Sequence, residues 1–208
     1  MTHSRQQSKD NPLDRNVHVA AVNFILTVET MGLLASPVDT LSLTIEPIIE
    51  AAKKVAEFGI GRRQVINPDR WREYDSDDLV VKLNELTAVL EDTPVPEREI
   101  SHLCTLLGDA LVAQMAHVSE QSLRRYAQGE RETKGPIAER IHWLCLVTGD
   151  LLGSYNETGT RNWFYRPRAS FGNNSPLGLL AEKEWSSHDA IPMQIRAFVR
   201  ALSAGMGT

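Results

Sequence analysis

Residues 109–128 read DALVAQMAHVSEQSLRRYAQ, and the rest of the chain is best understood outward from them. Leu111, Val112 and Met115 repeat at helical spacing, and His117-Val118-Ser119 interrupts the pattern. Leu123 and Tyr126 then resume it three residues apart. Ser119 is placed to cap a second helix, with Glu120 adding negative charge to its first turn and Gly129 placed to end it. The pattern is that of two short helices joined by a tight turn, a helix-turn-helix.

That motif makes specific demands. Steeply crossing helices need a small residue where they touch, and Ala113 is one; the turn needs an apolar plug, and Val118 is one. The second helix must bury a stripe, here Ser122, Leu123 and Tyr126, and keep a long-armed polar face for base edges in a major groove. Ser119, Glu120, Gln121, Arg124, Arg125 and Gln128 form that face. Gln reads adenine and Arg reads guanine through paired hydrogen bonds, while Arg131 and Lys134 just beyond suit backbone phosphates. The turn position that Gly usually holds is His117, which carries the cost of a left-handed backbone at a residue with a side chain. The same residues also fit a plain solvated helix surface. Two readings therefore stay open: a sequence-specific DNA-binding regulator, and a protein-interaction module whose helix-turn-helix is only scaffold.

Working outward, Thr93-Pro94-Val95-Pro96-Glu97 is the clearest boundary, because two prolines one residue apart do not fit inside one helix. Before it, helical stripes run through residues 17–34, 45–58 and 76–90. After it, the helical pattern stays dense to about Tyr155, and Asn156 to Thr160 reads as a polar connection. Asn174-Ser175-Pro176 reads as a turn that starts a short helix at Leu177, and a last helix is expected over residues 191–202. The expectation is an all-α chain. Its parts are a disordered arm (1–16), an acidic helical domain (17–93), a helix-turn-helix domain (97–155) and a C-terminal partner-binding block (156–208).

The 208 residues carry 22 Lys+Arg and 27 Asp+Glu, a formal charge of −5. Residues 1–99 hold 11 basic and 17 acidic side chains, net −6, whereas residues 100–208 hold 11 and 10, net +1. The acidity excludes indiscriminate coating of nucleic acid and leaves room for a local reading head. The polar start, residues 1–11, lacks the apolar core of a signal peptide, and no stretch has the roughly 18 apolar residues of a membrane span. A cytoplasmic protein, with Cys104 and Cys145 as buried thiols rather than a disulfide, is expected. No histidine pairs with a cysteine at zinc spacing, Gly59-Ile60-Gly61 lacks a third glycine, and no nucleophile or phosphate-loop motif occurs. No enzyme activity, metal or cofactor is expected.

Residues from about Ile100 to Leu202 resemble the Xre/MbcA/ParS family of bacterial antitoxins. The likeness rests on the helix-turn-helix with its following YAQGER, Tyr126 to Arg131, similar to the W-x-x-G-x-R ending of such repressors. It rests also on Trp163-Phe164 and on FGNNSPLGLL, residues 171–180, which look like the family's L-G-G-x-x-P-L-x-L-L block with Phe171 and Asn173 departing from it. Residues 1–99 have no counterpart in the family's short members. The resemblance implies an antitoxin that represses its own operon and binds an NAD-degrading RES-domain toxin. Asn174, Ser175, Pro176 and the tail near Gly205 would then lie at the toxin contact. Apart from the family, Arg161, Arg166 and Arg168 interleave with Trp163, Phe164, Tyr165 and Phe171, a mixture suited to nucleic acid or an acidic partner. The other reading of that mixture is aromatics packed on the core with solvated arginines. A single helix-turn-helix makes few base contacts, so a homodimer on double-stranded operator DNA is expected.

Overall fold

The computed structural model describes residues 13–205, the side chains of 203–205 excepted. Among them the chain is helical throughout, with no strand; one isolated bridge joins Arg168 and Asn174. The expected polar arm falls mainly on residues 1–12, outside the described residues; Arg15 and Asn16, assigned to it, instead open the first helix, where the Asp14 carboxylate accepts from the Asn16 N–H at 2.9 Å.

The chain divides into two compact units, one running to Glu29 and over Leu33–Thr93, the other made of Thr30–Gly32 and everything from Pro94. The first unit holds α1 (Arg15–Thr30, its last residue apart), α2 (Ile45–Glu57), a short 3-10 helix (Pro68–Glu73) and α3 (Ser76–Glu91). The stripe Leu79, Leu83, Leu86 and Leu90 of α3 is buried, and the Asp75 carboxylate caps the helix by accepting from the Asp78 N–H. An ion-pair network fastens the 3-10 helix to α2. Arg72 forks onto both carboxylate oxygens of Glu46, at 2.8 and 2.6 Å, and also reaches Asp69; Lys53 joins Asp69 to Glu50.

The second unit holds α4 (Pro96–Leu107), α5 (Asp109–Ala116), α6 (Glu120–Ala127), α7 (Gly135–Leu152), α8 (Glu157–Tyr165), a 3-10 turn (Ala169–Phe171), α9 (Pro176–Ala181) and α10 (Ala190–Gly205). Every residue of α7 from Arg140 to Gly149 is buried, so this helix is enclosed around its whole circumference. Helices α4, α5, α8 and α10 pack against it. One apolar cluster runs from Ile100 on α4 through Leu123, Leu144, Trp163 and Phe171 to Val199 on α10. The C-terminal block therefore shares the core of the helix-turn-helix segment instead of forming a separate body. The stretch read as a polar connection, Asn156 to Thr160, is the first half of α8, with the Asn156 side chain accepting from the Gly159 N–H at 2.8 Å. A short cap-and-turn sequence looks the same whether it ends one helix or begins the next.

Two features of this unit are demanding. Gly32 lies at φ +69, and a Cβ there would stand 2.8 Å from the Arg98 carbonyl oxygen, so only glycine fits. Beside it the Cys145 thiol donates to the Thr30 carbonyl at 3.3 Å. Deeper in, Glu99 is fully buried and one of its oxygens stands 2.6 Å from His142 Nδ1, while the other has no partner. Removing the imidazole strands a buried carboxylate. His142→Ala is expected to lower unfolding free energy by about 3–5 kcal/mol in urea titrations. Glu99→Gln, which keeps an acceptor and drops the charge, is expected to cost clearly less. A His142→Ala loss no larger than that of Glu99→Gln would show that the pair is not held as an ionic contact.

Candidate nucleic-acid interface

The expected helix-turn-helix segment folds as α5, a two-residue turn with a capping serine, and α6. Ala113 is buried, and Val118 is half-buried against the core, as a crossing residue and a plug should be. The end of α5 closes with the Val118 N–H on the Ala113 carbonyl at 3.0 Å and the His117 N–H on the Gln114 carbonyl at 3.4 Å. This is the glycine-type helix ending, with His117 in the left-handed region at φ 56, ψ 46. The end of α6 closes the same way around Gly129 at φ +69, with Glu130 N–H on the Arg125 carbonyl and Gly129 N–H on the Tyr126 carbonyl. What Gly129 does without strain, His117 does at the cost of a crowded Cβ.

Its side chain offers a compensation. His117 Nε2 lies 2.7 Å from the Leu180 carbonyl oxygen. A carbonyl only accepts, so this nitrogen carries the proton and donates. The imidazole thereby ties the turn to the end of α9. A second tie runs alongside: the buried Trp185 indole N–H donates to the Met115 carbonyl at 2.9 Å.

On α6, Leu123 and Tyr126 are buried and Ser122 is half-buried, and the Ser119 hydroxyl accepts from the Ser122 N–H. Ser119, Glu120, Gln121, Arg124, Arg125 and Gln128 are all exposed, as are Arg131 and Lys134 beyond the helix. The eight residues read as a DNA face are thus accessible together. Their charge is largely balanced within the protein. Arg124 Nε donates to Asp109 at 3.0 Å and its guanidinium stands 3.5 Å from Glu120; Arg125 stands 3.7 Å from Glu130. Arg131 lies over the Tyr126 ring at 5.6 Å. Asp109 is the residue that sequence reading missed: it lies on the neighbouring helix, and nothing in the spacing links it to Arg124. Asp109 also hydrogen-bonds Cys104, and burial together with that carboxylate pushes the thiol up to about 12. Both cysteines are free; Cys145 is buried as expected, whereas Cys104 is only half-buried.

The residues read as partner-binding divide. Arg166 and Asn174 are exposed. Arg168 is half-buried, its guanidinium 4.6 Å above the Trp163 ring and 5.8 Å from that of Phe198, and desolvation lowers its pKa. Ser175 is half-buried and caps α9 by accepting from the Gly178 N–H, and Pro176 behind it is buried at the first turn. Pro176 is thus buried in this chain, where its fixed φ starts the helix. Gly205 ends α10, and its surroundings lie outside the described residues. Of the basic-aromatic mixture, Trp163, Phe164 and Phe171 are buried, only Tyr165 being exposed, and Arg161 donates to the Leu106 carbonyl at 2.6 Å, where α4 ends.

Among the described residues no group of three His, Cys, Asp or Glu is placed to hold a metal ion, and no helix is long and apolar enough to cross a membrane. The chain matches no known family model, no curated protein and no solved structure.

The dual role of His117 can be separated by substitution. Alanine keeps the left-handed strain and loses the bond to Leu180; glycine loses the bond and removes the strain. His117→Gly is expected to be more stable than His117→Ala by about 1 kcal/mol in chemical denaturation. Equal stabilities would mean that the turn is not strained.

Proposed function

We propose that this chain is a sequence-specific DNA-binding regulator of the antitoxin kind, cytoplasmic, acting as a homodimer on operator DNA and binding rather than transforming its partners. The observation that carries this reading is the solvent face of α6. Six polar residues, from Ser119 to Gln128, stand exposed on a helix that Leu123 and Tyr126 seal to the core. A rigidly seated short helix with such a face has the form of a groove reader. In this reading Gln121, Arg124, Arg125 and Gln128 address base edges, Ser119 and Glu120 sit at the helix start, and Arg131 and Lys134 hold phosphates. The antitoxin part rests on the resemblance of residues 100–202 alone. It places a RES-type toxin against the C-terminal block, where Arg166 and Asn174 remain accessible.

One observation favours the alternative, a protein-interaction module without DNA binding. Asp109, Glu120 and Glu130 occupy the two arginines best placed to read bases. For DNA to bind, Arg124 must exchange Asp109 for a base or a phosphate.

The two readings give opposite results in gel shifts with the DNA upstream of the gene. Under the DNA reading, Arg124→Ala with Arg125→Ala weakens binding by about 1–3 kcal/mol per lost base contact, with helicity unchanged. Asp109→Asn removes the charged acceptor that holds Arg124 and is expected to tighten binding. A double variant that shifts the DNA as the parent does overturns the reading. A chain that shows no salt-sensitive binding and co-purifies with a stable partner establishes the alternative.

A further inference from the structure

Arg72, Arg124, Arg125, Arg140 and Arg200 each stand against a carboxylate, and Arg161 donates to the Leu106 carbonyl. Arg168 has neither kind of partner. Its guanidinium lies 4.6 Å over the Trp163 ring and 5.8 Å from that of Phe198, and its Nε is shut away from water with no acceptor. The cation that acts on it is Arg166, of like sign, and no carboxylate does. Among the described residues neither arginine makes an ion pair. The aromatic faces attract the cation and fix its plane, yet they accept no hydrogen bond along its edge. A half-buried charge beside a second charge of the same sign is a cost that the fold itself leaves unanswered.

The side chain is also held ready. The Arg168 N–H donates to the Asn174 carbonyl at 3.1 Å, and the Arg168 carbonyl accepts from the Asn173 N–H at 2.9 Å. Backbone and guanidinium are thus fixed before anything binds, which lowers the entropy lost on binding. The surroundings are accessible. Tyr155 also acts on Arg168 and is 37% exposed, Tyr165 is 51% exposed, and Arg166 and Pro167 are exposed.

We propose that Arg168, with Arg166 beside it, is the seat for a carboxylate carried by an acidic segment of a partner protein. The planar fork of Arg168 takes both oxygens, as guanidinium does with carboxylates, and Arg166 adds charge from the same side of the chain. A nucleic-acid backbone fits less well: it is tracked by several exposed cations along a strand, whereas one of these two is stacked and half-buried among tyrosines and a proline. Arginine with aromatic neighbours is the composition of a protein interface. The seat rests on the reading of the C-terminal block as partner-binding and not on the DNA reading.

The test titrates the full chain with a blocked tetraglutamate peptide, with blocked tetraglutamine as the uncharged control, following the Arg168 Nε–H and the Trp163 indole by NMR. Tetraglutamate is expected to shift both saturably, and tetraglutamine neither. Arg168→Gln is expected to weaken binding at least about tenfold, and Arg168→Lys, which keeps the charge and loses the fork, by a large part of that factor. Arg70→Gln, at an exposed arginine of the first unit, is expected to leave it unchanged. Absence of saturable shifts on the parent chain overturns the seat, and that result needs no variant to fold. Equal binding of the two peptides, or an Arg168→Gln chain of retained helicity that binds as the parent does, overturns the carboxylate assignment. A short DNA duplex that moves the same two signals more tightly than tetraglutamate overturns the acidic-segment occupant in favour of phosphate. A chain that takes the peptide but gives no gel shift supports the seat and overturns the DNA reading alone; the converse overturns the seat alone.

Discussion

The enclosure of α7 is the constraint on which the second unit depends. A helix buried from Arg140 to Gly149 presents apolar surface in every direction, and no single partner helix can cover it. It has to be surrounded, and α4, α5, α8 and α10 do so. The same enclosure takes polar residues out of water. His142 is answered by Glu99 of α4, and Arg140 by the Pro136 carbonyl and the Glu184 carboxylate. A buried polar group needs its partner from the element packed against it. Those answers fix the register of α4 and of the segment after α9 against the central helix, so the core carries instructions for the surface.

From this follows the unusual closeness of the helix-turn-helix to the C-terminal block. In an autonomous module the turn would be held by its own two helices. Here His117 and Met115 are bonded to Leu180 and Trp185, and Trp185 in turn packs edge-on against Trp143 of α7 at 4.9 Å. Turn, block and central helix form one chain of direct contacts. A residue that would be costly in the left-handed position becomes acceptable because its imidazole is needed elsewhere. Glycine would relieve the strain and lose the tie.

Much of this was legible in the residues. The helix-turn-helix followed from its spacing, from Ser119 as a cap and from Gly129 as a stop; the short helix α9 followed from Ser175-Pro176; and α2 and α3 followed from their stripes. These are local rules, and local rules act within a turn or two of helix. The start of α8 was misread because Asn156 serves equally as a loop residue and as a cap. The burial of Pro176 was not legible because it depends on what packs behind the residue, which spacing does not record. The pairing of Asp109 with Arg124, across 15 positions and two helices, is a product of the crossing angle. The tie from His117 to Leu180 spans 63 positions and is equally invisible in the sequence.

The balanced charge of α6 bears on how a reader of this kind would work. A strongly basic face gains affinity for any DNA by releasing counterions, and it discriminates weakly. A face whose arginines are already paired gains little from phosphates in general. Breaking Arg124 from Asp109 is repaid only where a guanine offers two acceptors in the right place. In the proposed reading the acidic partners act as a filter: they subtract from every site and leave a net gain at few. Such a filter leaves each half-site weak, since one short helix has few bases within reach. Useful affinity must then come from two heads held at a fixed spacing. That requirement places the burden of regulation on whatever orients α6 against the core. In this chain Leu123 and Tyr126 seat α6 on the core, and the ties at His117 and Met115 fix the turn that leads into it.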